Sequence, residues 1–185
     1  MADLSPLDAA IRQTGAVVDG ISDSQWGDKT LCSEYDVRAL LNHLTGAGVM
    51  FTTALTGGKA EPESASDHLG DDPKGSFHRA MDSVAKAWRQ EGAFEGEVPL
   101  PFGSTPAEMA FGICALEIFV HGADLAVATG RESKLDQAAC ERVLGQAKAM
   151  GVDNFRVPGV FGPEVKIGEE AEAHRRMLAY LGREV

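Results

Sequence analysis

The most apolar segment of the chain reads TPAEMAFGICALEIFVHGADLAVAT, residues 105–129, and Gly130 follows it. Thr105 and Pro106 favour a helix start, because proline fits the first helical position, and glycine commonly follows the last residue of a helix. A helix this apolar, almost without a polar face, must be surrounded by other parts of the protein. The segment therefore predicts the central helix of a helical domain.

Helical spacing of apolar residues recurs along most of the remaining chain, and we find neither an internal repeat nor convincing strand alternation. Residues 97–103 should be extended, because two prolines exclude helix there. The other predicted helices run from Pro6 to Ile21, from Ser33 or Asp36 to Gly57, through Phe77 and Trp88, from Leu135 to Met150, and from Glu169 to Leu181. This pattern predicts an all-α four-helix bundle with additional C-terminal helices.

Length and composition restrict the class of protein. A chain of 185 residues, of which 44% are hydrophobic and 24% charged, suits one folded domain spanning residues 1–185. The 28 acidic residues outnumber the 17 basic ones, giving a net charge of -11. Such a surface repels phosphate backbones and anionic lipids, so we expect neither nucleic acid nor membrane as a partner.

Targeting signals and cysteine usage point to the cytoplasm. No uninterrupted apolar run reaches the roughly 18 residues that a transmembrane helix needs. The first residues lack the basic and apolar regions of a secretory signal. The three cysteines are an odd number without a C-x-x-C pair, which does not suggest a disulfide framework. We therefore expect a cytoplasmic protein.

Ionisable residues interrupt the apolar central segment. Cys114, Glu117, His121 and Asp124 are spaced by three, four and three residues, so they share one helical face. A buried carboxylate without compensation is costly, and Glu117 therefore requires a proton, a cation or a metal ion. His121, one turn farther on, is the first candidate partner.

A second histidine could join this face from another helix. His43 flanks the apolar stripe of VRALLNHL, residues 37–44, and bundles build metal sites from facing helices. With Glu117 and His121 it would provide two imidazoles and one carboxylate, a ligand set used by catalytic zinc and by non-haem iron. The structural alternative is that these side chains only form hydrogen bonds with one another, and the spacing leaves both open.

Two motifs of the chain resemble those of a known family. Residues 30–44, TLCSEYDVRALLNHL, resemble one signature of the DinB-like superfamily branch that contains the N-terminal domain of mycothiol-dependent maleylpyruvate isomerase. Glu117 and His121, followed by GADLAVATG at residues 122–130, resemble the second signature. The resemblance covers nearly the whole chain.

The C-terminal part resembles single-domain metal-binding proteins of the same branch, in residues 161–165 and 178–183. The resemblance implies a DinB-like four-helix bundle that holds a divalent metal ion, zinc in the first place, on His43, Glu117 and His121. It also implies the use of a low-molecular-weight thiol such as mycothiol.

Three further residues are candidates for supporting roles. Asp124 could orient the His121 imidazole, or it could pair with an arginine elsewhere in the bundle. Cys114 could be an additional ligand or a buried apolar residue, and Arg38 could contact an anionic group of a substrate. No other residue is assigned a catalytic role at this stage.

The implied chemistry is thiol transfer. Relatives of this fold act largely as thiol-dependent transferases, in which a metal-bound thiol attacks an electrophilic substrate. The isomerase reaction itself is not expected here, because the chain ends before a second domain of the kind the isomerase carries. A metal-binding bundle without thiol transfer, hydrolytic or non-catalytic, and a metal-free interaction module are the alternatives, and a homodimer is left open.

Overall fold

The computed structural model describes residues 2–63, 66–156 and 161–185, and this part of the chain contains six α-helices, three short 3-10 helices and one β-hairpin. The helices are α1 (Ser5–Gly20), α2 (Val37–Leu55), α3 (Pro73–Trp88), α4 (Ala107–Ala128), α5 (Gln137–Ala149) and α6 (Ala173–Tyr180). The strands β1 (Glu97–Leu100) and β2 (Gly103–Pro106) pair antiparallel, with Val98 opposite Thr105. The predicted all-α class is confirmed.

Aspartate side chains fix where three of the helices begin. Asp36, Asp72 and Asp136 each accept a hydrogen bond from the backbone N–H three residues farther on, at 2.8, 3.0 and 3.1 Å. Such a cap satisfies one of the backbone donors that the first turn of a helix leaves unpaired. The caps set the starting points of α2, α3 and α5, and hence the direction in which the side chains of α2 project.

The first four helices form the bundle. The most extensive contacts join α2 with α3 and α1 with α4, and α2 also packs on α4. The two C-terminal helices pack on each other, and α6 also contacts α4. This arrangement places α4 between α1 and α2, with α6 against it, as the apolar composition of its sequence predicts.

Helix α4 is the most apolar element. Among the described residues it is the one helix that could cross a membrane by length and composition, and 67% of its most apolar 18-residue window is buried inside the protein. Core helices of globular domains meet the same criterion. Two polar side chains of α4, Glu117 and His121, lie at the partly accessible edge that faces α2.

Two local predictions from the sequence need correction. Residues 97–103 were predicted to be extended, and Glu97–Leu100 is a strand, but the chain then turns at residues 101–102 and Gly103–Pro106 pairs with that strand. Gly103 follows the turn with a φ of +130°, a conformation that favours glycine. The sequence did not predict this strand pairing, because the prolines at positions 99 and 106 interrupt the alternation of apolar and polar residues that is typical of strands. The last helix begins at Ala173 and not at Glu169, because the acidic residues before it lie in a turn.

Candidate metal centre

His43 of α2 and the pair Glu117 and His121 of α4 meet at one point. His43 Nε2 lies 2.5 Å from Glu117 Oε1, and His121 Nε2 lies 3.3 Å from the same oxygen. The three side chains are 13, 28 and 12% exposed, so the cluster is shielded but reachable from solvent. The structure brings together the three residues that the sequence singled out as candidate ligands.

Aromatic contacts hold the two imidazoles in place. The ring of Tyr35, just before α2, stacks on His43 with a centroid distance of 5.4 Å and an interplanar angle of 26°. The His43 and His121 rings meet edge to face at 5.1 Å. These contacts restrict ring rotation, and a fixed ring orientation is what a ligand site requires.

Glu117 and His121 each stabilise the charged form of the other. Burial by itself would raise the pKa of Glu117, but the His121 and His43 imidazoles hold it below its usual range. Burial by itself would lower the pKa of His121, but the Glu117 carboxylate and Asp124 raise it well above its usual value. Without a metal ion, these pKa shifts favour a Glu117 carboxylate beside a protonated His121.

Asp124 supports the other edge of His121. Its Oδ2 lies 3.0 Å from His121 Nδ1, and the Asp124 side chain is fully buried. Arg183, which follows α6, donates to the same carboxylate from Nη2 at 3.1 Å and from Nε at 3.3 Å. The Asp124 carboxylate thus contacts both partners that the sequence suggested, the His121 imidazole and an arginine.

Cys32 is a neighbour that sequence reasoning missed. Its Sγ donates to Asp124 Oδ2 at 3.2 Å and lies 3.7 Å from both His121 Nδ1 and Arg183 Nη2. The segment before α2 brings it there, and an isolated bridge between Lys29 and Asp36 closes that segment on itself. A cysteine in a non-periodic segment gives no spacing signal, although it lies inside the first family signature.

Cys114 and Arg38 do not join the cluster. Cys114 is 1% exposed and lies beside Trp88, and burial raises its pKa to about 12. It therefore acts as a small apolar residue, although it shares a helical face with Glu117 by spacing. Arg38 donates a hydrogen bond to the backbone oxygen of Gly70 at 3.0 Å and so binds the loop before α3.

The donor set of His43, Glu117 and His121 fits a divalent metal ion. Their ligand atoms lie within 4.8 Å of one another, and two imidazoles with one carboxylate are typical of zinc sites that leave a position free. Cys32, His121 and Asp124 also lie close enough to form a group. That second group fits a cation less well, because the Arg183 guanidinium already neutralises the Asp124 carboxylate.

Glycines let the helices approach one another around this cluster. A Cβ at Gly122 would collide with Thr14 Oγ1, and the Thr14 hydroxyl donates to the backbone oxygen of Ile118 at 2.9 Å. A Cβ at Gly46 would collide with the backbone oxygen of Glu63. These glycines permit close packing around the cluster.

Comparison with known proteins identifies the family of the chain. The family model described as the mycothiol maleylpyruvate isomerase N-terminal domain matches residues 7–126. Uncharacterised proteins from two strains of Mycobacterium tuberculosis are each 28% identical over 172 residues, which cover 92% of this chain and 91% of the relative.

Solved structures show a likeness of fold. The crystal structure of the mycothiol-dependent maleylpyruvate isomerase superposes with a TM-score of 0.56 at 14% identity, covering 80% of this chain and 70% of that chain. A histidine-to-alanine mutant of that isomerase gives the same values. At this level of identity the comparison supports the helical architecture alone.

Proposed function

The chain belongs to the mycothiol maleylpyruvate isomerase N-terminal domain family, and on that premise we propose that it is a metal-dependent thiol S-transferase. In this proposal His43, Glu117 and His121 bind one divalent ion, zinc in the first place. A low-molecular-weight thiol of the mycothiol type is the cosubstrate, and the second substrate is a small electrophile.

The observation that carries the proposal is the convergence of three ligand atoms from two helices. His43 Nε2 and His121 Nε2 both face Glu117 Oε1, at 2.5 and 3.3 Å. A partly exposed carboxylate between two imidazoles matches the chemistry of a site with three protein ligands and a remaining position for an exogenous one. The partial exposure of Glu117, 28%, provides a side from which a thiol can enter.

A bound divalent ion would supply Lewis acidity that favours the thiolate form of a coordinated thiol at neutral pH. The residues of the chain would prepare the ligands for it. Asp124 accepts from His121 Nδ1 and keeps the proton on that nitrogen, so that Nε2 can present its lone pair. Arg183 holds the Asp124 carboxylate in this orientation.

The proposed transfer requires neither an oxidant nor a reductant. The thiol releases its S–H proton to solvent, and the sulfur lone pair forms a new S–C bond with the electrophile. The electron pair displaced from the electrophile then takes up a proton. Tyr35 stacks on the His43 ring and would shield that face of the ligand from water.

Thiol conjugation to a generic electrophile tests the proposal. We expect zinc-loaded protein to consume mycothiol, metal-free protein to be inactive, and other thiols to react much more slowly. The His121→Ala variant should be inactive, whereas His78→Ala should keep activity, because His78 pairs with Asp19 outside the cluster. Zinc-loaded protein that binds no thiol in calorimetry would contradict the transferase function and leave a metal-binding bundle without thiol chemistry.

A further inference from the structure

The two candidate ligand histidines differ in what their Nδ1 atoms contact. His121 Nδ1 faces Asp124 Oδ2 at 3.0 Å. His43 Nδ1 is buried and has no hydrogen-bond partner among the described residues. The Glu63 carboxylate lies near it, with Oε1 at 3.8 Å, which is too far for a hydrogen bond.

The loop that carries Glu63 is attached to α2. Asn42 Nδ2 donates to the backbone oxygen of Ser66 at 3.0 Å, and the backbone N–H of His68 donates to Asn42 Oδ1 at 2.7 Å. The backbone oxygen of Glu63 and the His68 ring lie so close to Gly46 that a Cβ there would collide with both. Glu63 is therefore held over the helix turn that follows His43.

The 3.8 Å separation fits a His43 ring whose single proton lies on Nε2. At 2.5 Å, His43 Nε2 is within hydrogen-bond distance of the Glu117 carboxylate and has to donate a proton to it. In a neutral ring Nδ1 then carries a lone pair, which cannot bond to a carboxylate. If Nε2 instead binds a metal ion, the ring proton resides on Nδ1, which becomes a donor facing Glu63.

We propose that Glu63 is a positioning residue for His43, accepting a hydrogen bond from its Nδ1–H when Nε2 is a metal ligand. Each ligand histidine then has a carboxylate on its outer nitrogen, Asp124 for His121 and Glu63 for His43. Carboxylates in this position fix the tautomer and raise the basicity of the ligand nitrogen. The inference rests on the proposed metal site and adds a residue from the loop between α2 and α3.

The test is zinc affinity, measured by competition with a chromophoric chelator on the full chain. The Glu63→Gln variant should bind zinc about tenfold more weakly, at the lower end of such effects because the amide oxygen still accepts a hydrogen bond. Glu61→Gln is the matched control on the same loop. Its carboxylate pairs with Lys59 at 3.5 Å in a solvent-exposed bridge, and its zinc affinity should be unchanged.

Two further readouts separate positioning from a general structural role. The metal-free Glu63→Gln protein should melt at the wild-type temperature, because the proposed bond forms only with the metal. In zinc-loaded protein the His43 Nδ1–H proton resonance should lie downfield in the wild type and shift upfield in Glu63→Gln. Wild-type zinc affinity in Glu63→Gln, or an unmoved resonance, would overturn the inference alone. Wild-type protein that takes up no zinc would overturn both the inference and the proposed function.

Discussion

Arg183 Nη2 lies 3.1 Å from Asp124 Oδ2, although the two residues are 59 positions apart in the chain. The Asp124 side chain is fully buried and that of Arg183 is 10% exposed. Burial by itself would raise the pKa of Asp124, but His121 and Arg183 hold it below its usual range. The pair thereby attaches the end of α6 to the helix that carries two candidate metal ligands.

Removing the charge of Asp124 should destabilise the fold strongly. In the Asp124→Asn variant the buried Arg183 guanidinium loses its counter-ion, which costs about 3 kcal/mol or more in the free energy of unfolding. Asp153→Asn is the control, since Asp153 is 67% exposed and pairs with Arg156 at the surface, where the loss should stay below about 1 kcal/mol. Urea unfolding of the metal-free proteins measures both. Equal losses in the two variants would contradict the assigned importance of the buried pair.

Zinc affinity should increase with pH. The pKa of His121 is raised well above its usual value, so below that pKa zinc must displace a proton from the imidazole. Glu117, whose pKa is lowered, is already a carboxylate near neutrality and releases none. Each pH unit should therefore tighten zinc binding about tenfold for one displaced proton, until the pKa of His121 is passed. Chelator competition at pH 6, 7 and 8 measures the slope, and an affinity independent of pH would count against His121 as a ligand.

Replacing the two glycines of α4 by alanine should change the free energy of unfolding in opposite directions. Gly122→Ala forces a Cβ against Thr14 and should lower the free energy of unfolding by about 1 kcal/mol or more, even after the gain in helix propensity. Gly112 lies on the same helix, and a Cβ built there meets no atom within 4 Å beyond its chain neighbours and its own helix backbone, so Gly112→Ala should stabilise by up to about 1 kcal/mol. Unfolding curves of the two variants provide the comparison. A shift of both in the same direction would refute the close approach of α1 and α4.

The three cysteines should differ in reactivity. Burial raises the pKa of Cys114 and of Cys140 to about 12, and both are enclosed in the core. Cys32 is partly accessible beside Arg183. Native protein at neutral pH should therefore take up one iodoacetamide label, and Cys32→Ser should take up none. Mass spectrometry of intact protein gives the count, and labelling of a second thiol without unfolding would show that the core is less closed than described.

The parts of the fold that follow local rules were predictable from the sequence. Asp36 and Asp136 lie at the predicted starts of α2 and α5 because an aspartate side chain can cap a helix. The apolar composition of residues 105–129 was sufficient to place α4 at the centre. Glu117 and His121 were recognisable because ionisable residues in such a segment need a partner.

Contacts between distant, non-periodic segments were not predictable. Cys32 meets Asp124 across 92 positions and Arg183 meets it across 59, and no helical or strand period connects such residues. Glu63 lies in a loop with several glycines and prolines, where no helical or strand periodicity determines the direction of a side chain. Cys114 illustrates the converse: it shares a helical face with Glu117 by spacing, yet its thiol packs beside Trp88.

The metal content of the purified protein tests the proposed metal centre most directly. After loading with zinc and removal of unbound ions, mass spectrometry should find about one ion per chain in the wild type and in His78→Ala. His121→Ala should retain little, although it remains folded by circular dichroism. Wild-type protein without bound metal, or a His121→Ala variant that retains as much as His78→Ala, would contradict a metal centre on His43, Glu117 and His121.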